Sequence, residues 1–272
     1  MKKTNIIFDL DGVLFEQNAL GIVRRSGIIK IIFYLITHRK NPIKIGFDIL
    51  QKMRVQENNA LRLKSDGIGL KITGNSGCIN KNTDYKIKYK KYTMPDCIAL
   101  WMKGAISNRS LLEKIDAFID QLKKLNYFKS EFEKQFIKKA LTSILDETQI
   151  TTNVKPIDPM INLVKKLNQK NKHNLFIISN YTKKASELLL KKYEDFFSLF
   201  DDIIISANVG LIKPDIKIYE HLLNKHSLNP RECIFIDDQK DNIISAQNIG
   251  ITSLLYKNFE EIISNLKKLK TI

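Results

Sequence analysis

Two aspartates that follow the first apolar segment are the residues best suited to chemistry. Asp9 and Asp11 come directly after an apolar run of strand length, residues 6–8, and Gly12 follows them. Side chains alternate along a strand and glycine permits a tight turn, so this order predicts two acids at the mouth of a parallel sheet. Carboxylates this close repel each other unless a bound cation, a shared proton or a cationic side chain compensates them. Taken alone, the segment could equally be a solvated turn.

Three further groups of polar residues follow apolar segments in the second half of the chain. They are Ser179 and Asn180 after residues 175–178, Lys213 beyond residues 202–206, and Asp237 and Asp238 after residues 233–236. In open parallel sheets the carboxyl ends of the strands form the ligand-binding crevice. We therefore expect these side chains to meet Asp9 and Asp11 at one edge of one sheet.

The elements that must position these residues alternate between strand and helix from Pro156 onward. The predicted helices are residues 159–169, 183–192, 216–226, 241–248 and 259–269, and the predicted strands between them are residues 175–178, 202–206, 233–236 and 253–256. Continuous apolar strands separated by amphipathic helices indicate a parallel sheet covered on both faces. The first strand completes this series. We predict an α/β fold with a doubly wound, Rossmann-like core of residues 1–15 and 152–272.

Residues 16–151 are predicted to form a mainly helical insertion in this core. Apolar periodicity favours helices over residues 21–39, 42–63, 95–103, 107–125 and 130–145. Residues 65–93 contain several glycines and a short alternating segment, which favour turns with a short hairpin or a flexible loop.

The composition limits the class of protein. The 272 residues have a formal net charge of +16, and residues 17–94 contain sixteen Lys/Arg against four Asp/Glu. These basic residues are not interleaved with aromatic residues, so a solvated face is favoured over nucleic-acid binding. Three cysteines without CxxC spacing indicate neither a disulfide framework nor a zinc site, and we expect a cytoplasmic protein. The most hydrophobic window, residues 28–36, is too short to span a membrane.

The four polar groups together resemble the motifs of the haloacid dehalogenase-like hydrolase superfamily, in the order that the superfamily has them. The matching segments are Asp9-Leu10-Asp11-Gly12-Val13, Ile178-Ser179-Asn180, Lys213-Pro214-Asp215 and Ile236-Asp237-Asp238-Gln239-Lys240-Asp241-Asn242. The insertion directly after the first motif is where that superfamily places a helical cap of the first type. An aspartate at position 11 implies phosphoryl chemistry, since the dehalogenases of the superfamily lack it.

The resemblance implies a role for each matching residue. Asp9 would be the nucleophile that forms an aspartyl-phosphate, and Asp11 the general acid and base. Ser179, Asn180 and Lys213 would bind the phosphoryl oxygens.

The resemblance also implies a Mg²⁺ site with oxygen ligands. Asp238, one oxygen of Asp9 and the main-chain carbonyl of Asp11 would hold the ion, and Asp237 would help directly or through water. Helix capping or support of the ligands is the alternative role for Asp237.

The function that these residues imply is a Mg²⁺-dependent phosphatase acting on a small phosphorylated metabolite. A phosphomutase would use the same nucleophile but return the phosphate to a rotated intermediate. A partner-binding or nucleic-acid-binding role through the basic insertion is the alternative outside enzymology.

Overall fold

The structure is a computed structural model that describes residues 4–17, 48–54, 88–89 and 92–272. Up to the end of the insertion the elements are β1 (Thr4–Phe8), β2 (Phe15–Gln17), helical residues 48–54, β3 (Lys88–Tyr89), β4 (Tyr92–Thr93), α1 (Asp96–Met102), α2 (Asn108–Lys124), α3 (Glu131–Ile144) and α4 (Glu147–Thr152). The remaining elements are β5 (Val154–Pro156), α5 (Asp158–Gln169), β6 (His173–Ser179), α6 (Lys183–Lys192), α7 (Glu194–Phe197), β7 (Asp202–Ile205), α8 (Ser206–Val209), α9 (Ile216–Lys225), a 3-10 turn (Pro230–Glu232), β8 (Cys233–Asp237), α10 (Lys240–Asn248), β9 (Thr252–Leu255) and α11 (Phe259–Lys268).

The central feature is a five-stranded parallel sheet with the strand order β7-β6-β1-β8-β9. The first strand lies in the middle and pairs with β6 on one side and β8 on the other, so that Phe8 lies opposite Ile177 and Ile236. Strands on opposite sides of β1 thus run in the same direction and end at one edge. The predicted α/β class and the predicted place of the first strand in the sheet are confirmed.

Helices cover both faces of the sheet because successive strand residues are apolar. In β1, Ile6 and Phe8 belong to one buried cluster and Ile7 to the other. The first cluster includes apolar side chains of α5, α6 and α11, and the second includes those of α9 and α10. This two-sided burial is the doubly wound arrangement that the continuous apolar strands predict.

Helices that were expected from periodicity are present wherever the structure describes them. The helices α1, α2 and α3 correspond to the predicted residues 95–103, 107–125 and 130–145. Ser107 caps α2 by accepting a hydrogen bond from the Ser110 amide at 3.1 Å. The predicted helix over residues 21–39 and most of that over residues 42–63 lie outside the described residues.

The chain divides into two compact units. The first comprises Met1–Arg25, Trp101–Ala105 and Ile144–Ile272, and the second comprises Ser26–Leu100 and Ile106–Ser143. The first unit contains the parallel sheet, its helices and the short antiparallel pair of β2 with β5. The predicted domain boundaries, after residues 15 and 151, remain a prediction beside this division.

Two further findings concern membrane-spanning helices and the cysteines. No helix among the described residues is long and apolar enough to cross a membrane. Cys97 and Cys233, which lie within the described residues, are buried and form no disulfide.

Candidate active site

Asp9 lies at the carboxyl end of the central strand, where the ladder of the sheet places it. Its amide donates to the Ile236 carbonyl at 2.9 Å, which continues the pairing of β1 with β8 by one residue. The residue is 4% exposed, and its carboxylate Oδ1 accepts a hydrogen bond from the Leu10 amide at 2.7 Å. Main-chain contacts on both sides thus fix Asp9. It lies at the end of a strand, which is where the sequence predicts it.

Lys213 extends across this edge and joins two of the acids. Its Nζ lies 2.8 Å from Asp9 Oδ1 and 2.7 Å from Asp237 Oδ2, and its side chain is 1% exposed. The ammonium group also lies 5.5 Å from the centre of the Phe235 ring. Burial alone would lower the pKa of Lys213, but the attraction of Asp237 and Asp9 outweighs it and leaves the pKa above its ordinary value.

Asp237 accepts hydrogen bonds from three neighbouring residues. In addition to Lys213, it accepts from the Gln239 amide at 2.7 Å and from Asn242 Nδ2, which lies 3.0 Å from both carboxylate oxygens. Tyr219 in turn donates to the Asn242 carbonyl at 3.1 Å. Because these donors occupy both oxygens, the geometry favours Asp237 as the residue that orients Lys213.

Asn180 contributes to the same arrangement through the main chain of Lys213. Its Oδ1 accepts from the Lys213 amide at 2.8 Å, and its Nδ2 donates to the Lys213 carbonyl at 2.9 Å. This reciprocal pair ties the loop after α8 to the end of β6. Both functions of the Asn180 amide are therefore used within the protein, and the predicted contact of Asn180 with phosphate remains a prediction.

Ser179 ends β6, beside the central strand. It is 1% exposed, and its Oγ has no hydrogen-bond partner among the described residues. A buried hydroxyl normally finds a partner, so an unpaired one at the ligand-binding edge of a sheet favours a ligand that accepts a hydrogen bond. A phosphoryl oxygen is such an acceptor.

Asp238 is the exposed acid of the group and lies directly against Gly12. Gly12 has φ of +84°, and a Cβ built on it would lie 2.6 Å from Asp238 Oδ2 and 2.7 Å from Asp238 Cγ. The glycine therefore provides both the turn that was predicted after Asp11 and the space in which the Asp238 carboxylate lies. Sequence reasoning recognised only the first of these requirements.

Gly12→Ala is expected to weaken binding of a divalent cation by at least about tenfold, because the new methyl group displaces Asp238. It should also lower the free energy of unfolding by about 1–3 kcal/mol through the positive φ. Gly210→Ala is the matched control, since Gly210 has φ of +69° and nothing lies within 4 Å of an added Cβ. Calorimetric titration with Mg²⁺ and urea unfolding measure the two effects. Equal cation affinity in both variants would show that the space at Gly12 is not needed for an Asp238 carboxylate that binds the cation.

Three carboxylates of the site could hold a metal ion. Asp9, Asp237 and Asp238 each offer an oxygen, and these oxygens lie within 4.8 Å of one another. Burial raises the pKa of Asp9 well above its ordinary value; Lys213 opposes this shift, and the charges of Asp237 and Asp238 add to it. An all-oxygen group with surplus negative charge suits a hard cation such as Mg²⁺, so the residues present fit the ion that the sequence implied.

Two asparagines of this site have contacts that sequence reasoning did not anticipate. Asn242 positions Asp237, and Asn180 positions the main chain of Lys213. A signal for Asn242 was available, because it follows Asp237 by five residues and falls in the first turn of α10. No comparable local signal links Asn180 to Lys213, since their contact depends on the packing of two separate loops.

Comparison with known proteins gives the following matches in sequence. The family model described as haloacid dehalogenase-like hydrolase matches residues 4–250. A sesquiterpene phosphatase of Aspergillus oryzae is 43% identical over 58 residues, which are 21% of this chain and 30% of that protein. A glyceraldehyde 3-phosphate phosphatase of Methanothermobacter thermautotrophicus is 31% identical over 85 residues, which are 30% of this chain and 37% of that protein. A drimenol cyclase of Aspergillus calidoustus is 34% identical over 97 residues, 36% of this chain and 18% of that protein. The matched segments thus span between 18% and 37% of these three relatives.

Solved structures show the same fold. A predicted haloacid dehalogenase (HAD)-like hydrolase of Porphyromonas gingivalis is 18% identical and covers 100% of both chains with a TM-score of 0.51. A HAD family enzyme of Bacteroides thetaiotaomicron, solved as a magnesium complex, is 16% identical and covers 94% of each chain with a TM-score of 0.51. At such identities the likeness concerns the fold alone.

Proposed function

This chain belongs to the haloacid dehalogenase-like hydrolases, and from that premise we propose that it is a Mg²⁺-dependent phosphatase of a small phosphomonoester. The observation that supports the proposal most is the buried Asp9 carboxylate, held 2.8 Å from Lys213 and within 4.8 Å of two further acids. Two curated relatives are named as phosphatases, although each match covers only part of the chain. Their names agree with removal of a phosphoryl group and differ in the alcohol that carries it.

In the proposed reaction, Asp9 attacks phosphorus and the ester oxygen leaves with the alcohol. Asp11 donates a proton to that oxygen, so the alcohol departs uncharged, and an aspartyl-phosphate remains on Asp9. Asp11 then takes a proton from water, which attacks the same phosphorus and releases phosphate and free Asp9. Ser179 and Lys213 stabilise the phosphoryl oxygens throughout, by a hydroxyl and by a positive charge.

The proposed metal ligands are Asp9, Asp238 and the main-chain carbonyl of Asp11, with Asp237 in the supporting position that its hydrogen bonds favour. When bound, Mg²⁺ supplies positive charge that offsets the repulsion between these carboxylates and the phosphate. Lys213 neutralises part of the same charge from the protein side.

A screen of phosphorylated metabolites tests the proposed function. We expect Mg²⁺-dependent release of inorganic phosphate, with activity lost in EDTA and restored by excess Mg²⁺. Unchanged activity in chelator would overturn the metal requirement. Absence of phosphate release from every compound, including p-nitrophenyl phosphate, would overturn the phosphatase function.

Mg²⁺ binding is expected to weaken as the pH falls. Because burial raises the pKa of Asp9, the metal-free protein holds a proton there to a higher pH than an exposed aspartate would, and Mg²⁺ must displace it. The apparent affinity should therefore rise with pH through this pKa and then level off. Calorimetric titrations in buffers of different ionisation enthalpy measure both the affinity and the released proton.

Asp238→Asn should weaken this binding by at least about tenfold at every pH. Asp158→Asn, at an exposed position at the start of α5, is the matched control. A pH-independent affinity, or equal effects of the two substitutions, would contradict the assigned ligands.

A further inference from the structure

A groove between α5 and α11 is a feature of the core that the proposed reaction does not use. Its volume is about 790 Å³, and small-molecule sites in proteins measure about 300–1,000 Å³. The apolar residues that line it are Pro159, Leu163, Leu167, Phe259, Ile263 and Ile272. Every lining residue belongs to the compact unit that contains the parallel sheet. The groove is therefore formed within one unit and can act as one binding site.

The two helices run in the same direction, which gives the groove two different ends. Helix α5 ends shortly before β6 begins, and α11 begins shortly after β9 ends. Because β6 and β9 run parallel in one sheet, both helices run opposite to the strands. The α5 side of the groove extends from Asp158 to Lys170, which at 1.5 Å per residue is about 18 Å. A groove of this length suits an extended chain better than a compact group.

The floor of the groove is apolar along both helices. Leu163 and Leu167, one turn apart in α5, are 5% and 1% exposed. Phe259 and Ile263, one turn apart in α11, are half-buried. A hydrocarbon chain that lies along these side chains removes apolar surface of both partners from water, which is favourable.

The charged residues of the groove are divided between its ends. Lys166, Lys170 and Lys267 lie where the two helices end, and Asp158 lies where α5 begins. All four are exposed, and their side chains take part in no ion pair or hydrogen bond with the part of the chain that the structure describes. Three positive charges without an acidic partner attract an anion to one end of the groove.

From this arrangement we infer that the groove binds an anion with a long apolar tail, such as the carboxylate of a long-chain fatty acid. The head group lies among the three lysines, and the tail runs along the floor towards the beginnings of the two helices. A small anion would contact only the lysines, and a neutral hydrocarbon only the floor. The inference does not depend on the proposed phosphatase function, because the groove shares no residue with the carboxylate site.

Three probes separate the contributions of the head group and the tail. Dodecanoate has both features, hexanoate has the same head with a shorter tail, and dodecyltrimethylammonium has the same tail with a positive head. Calorimetric titration below the micelle concentrations measures the affinities. We expect saturable binding of one dodecanoate per chain, and at least about tenfold weaker binding of each of the other two probes.

A pair of double variants tests the lysines at constant net charge. Lys166→Glu with Lys267→Glu should weaken dodecanoate binding by at least about tenfold and make dodecyltrimethylammonium the tighter ligand. Lys165→Glu with Lys268→Glu is the matched control, because these neighbours lie in the same two helices but outside the groove. Its dodecanoate affinity should stay within about twofold of wild type.

A second pair of variants tests the groove itself. Asn162→Trp fills it from an exposed position of α5 and should weaken dodecanoate binding by at least about tenfold. Ser264→Trp, at an exposed position of α11 outside the groove, should leave the affinity unchanged. Melting temperatures show whether each variant is folded.

Several results would overturn the inference. Failure of wild type to bind dodecanoate, or binding of many molecules per chain, would exclude a defined site. Equal losses in the two double variants would show that the net charge of the protein attracts the anion from a distance. A wild-type dimer in sedimentation that Asn162→Trp converts to a monomer would identify the groove as a contact between copies of the chain instead.

Discussion

Replacing Asp9 by asparagine is expected to lower kcat by at least about 10³-fold, because the amide cannot attack phosphorus. The substitution keeps the shape of the side chain, and Lys213 retains its 2.7 Å contact with Asp237, so the fold should persist. Steady-state assays with p-nitrophenyl phosphate measure the loss. Rapid acid quenching followed by mass spectrometry should find a phosphoryl group on the peptide that contains Asp9 in wild type and none in the variant.

Asp195→Asn is the control for this substitution, because Asp195 is an exposed aspartate at the start of the short helix α7. Its turnover should equal that of wild type. Melting temperatures of the two variants show whether any loss at Asp9 is a loss of folded protein. An Asp9→Asn protein that turns over within tenfold of wild type, or a phosphoryl group on another residue, would refute the nucleophile.

Much of the core could be predicted from the sequence because its signals are local. The strands are continuous apolar runs, and the helix over Lys183–Lys192 was predicted with its observed bounds. The acids and Lys213 were placed at one edge because each follows an apolar strand, and a parallel sheet brings those ends together. The order of residues along the chain is enough to predict these strands and helices and the edge at which the polar residues meet.

Contacts between distant segments could not be predicted in the same way. The pairing of β2 with β5 joins two strands of three residues each, which show no periodicity that distinguishes them from loops. Helix α4 was also missed, although Asp146 caps it by accepting from the Thr148 and Gln149 amides. Six residues are too few for a clear apolar period, and its cap was the one available signal.

The positioning hydrogen bonds of the site depend on tertiary structure for the same reason. Asn180 is an ordinary loop residue in the sequence, and its contact with the main chain of Lys213 forms only when two separate loops pack together. Sequence could suggest that Lys213 compensates the acids. Its burial between two carboxylates, with 1% of its side chain exposed, follows from the packing of β1 against β8.

Lys213→Met is expected to lower the free energy of unfolding by about 3–5 kcal/mol when no divalent cation is present. The substitution leaves the carboxylates of Asp9 and Asp237, whose side chains are 5% and 0% exposed, without their buried counter-charge. Urea unfolding in EDTA measures the effect, since a bound metal would otherwise compensate. Adding Asp237→Asn to the Lys213→Met protein should recover part of the loss, because one uncompensated charge is removed.

The pH dependence of this loss tests its electrostatic origin. Without Lys213 the carboxyl of Asp9 has a folded-state pKa raised still further above its unfolded value, so the folded protein binds the proton more tightly. The resulting penalty is absent below the unfolded pKa and grows as the pH rises through the folded pKa, so the gap to wild type should narrow as the pH falls. Lys225→Met is the matched control, since Lys225 is half exposed and lies 2.7 Å from Asp202, and its loss should cost at most about 1 kcal/mol. Equal losses for the two lysines, or a gap that does not change with pH, would show that Lys213 stabilises the core by packing rather than by charge.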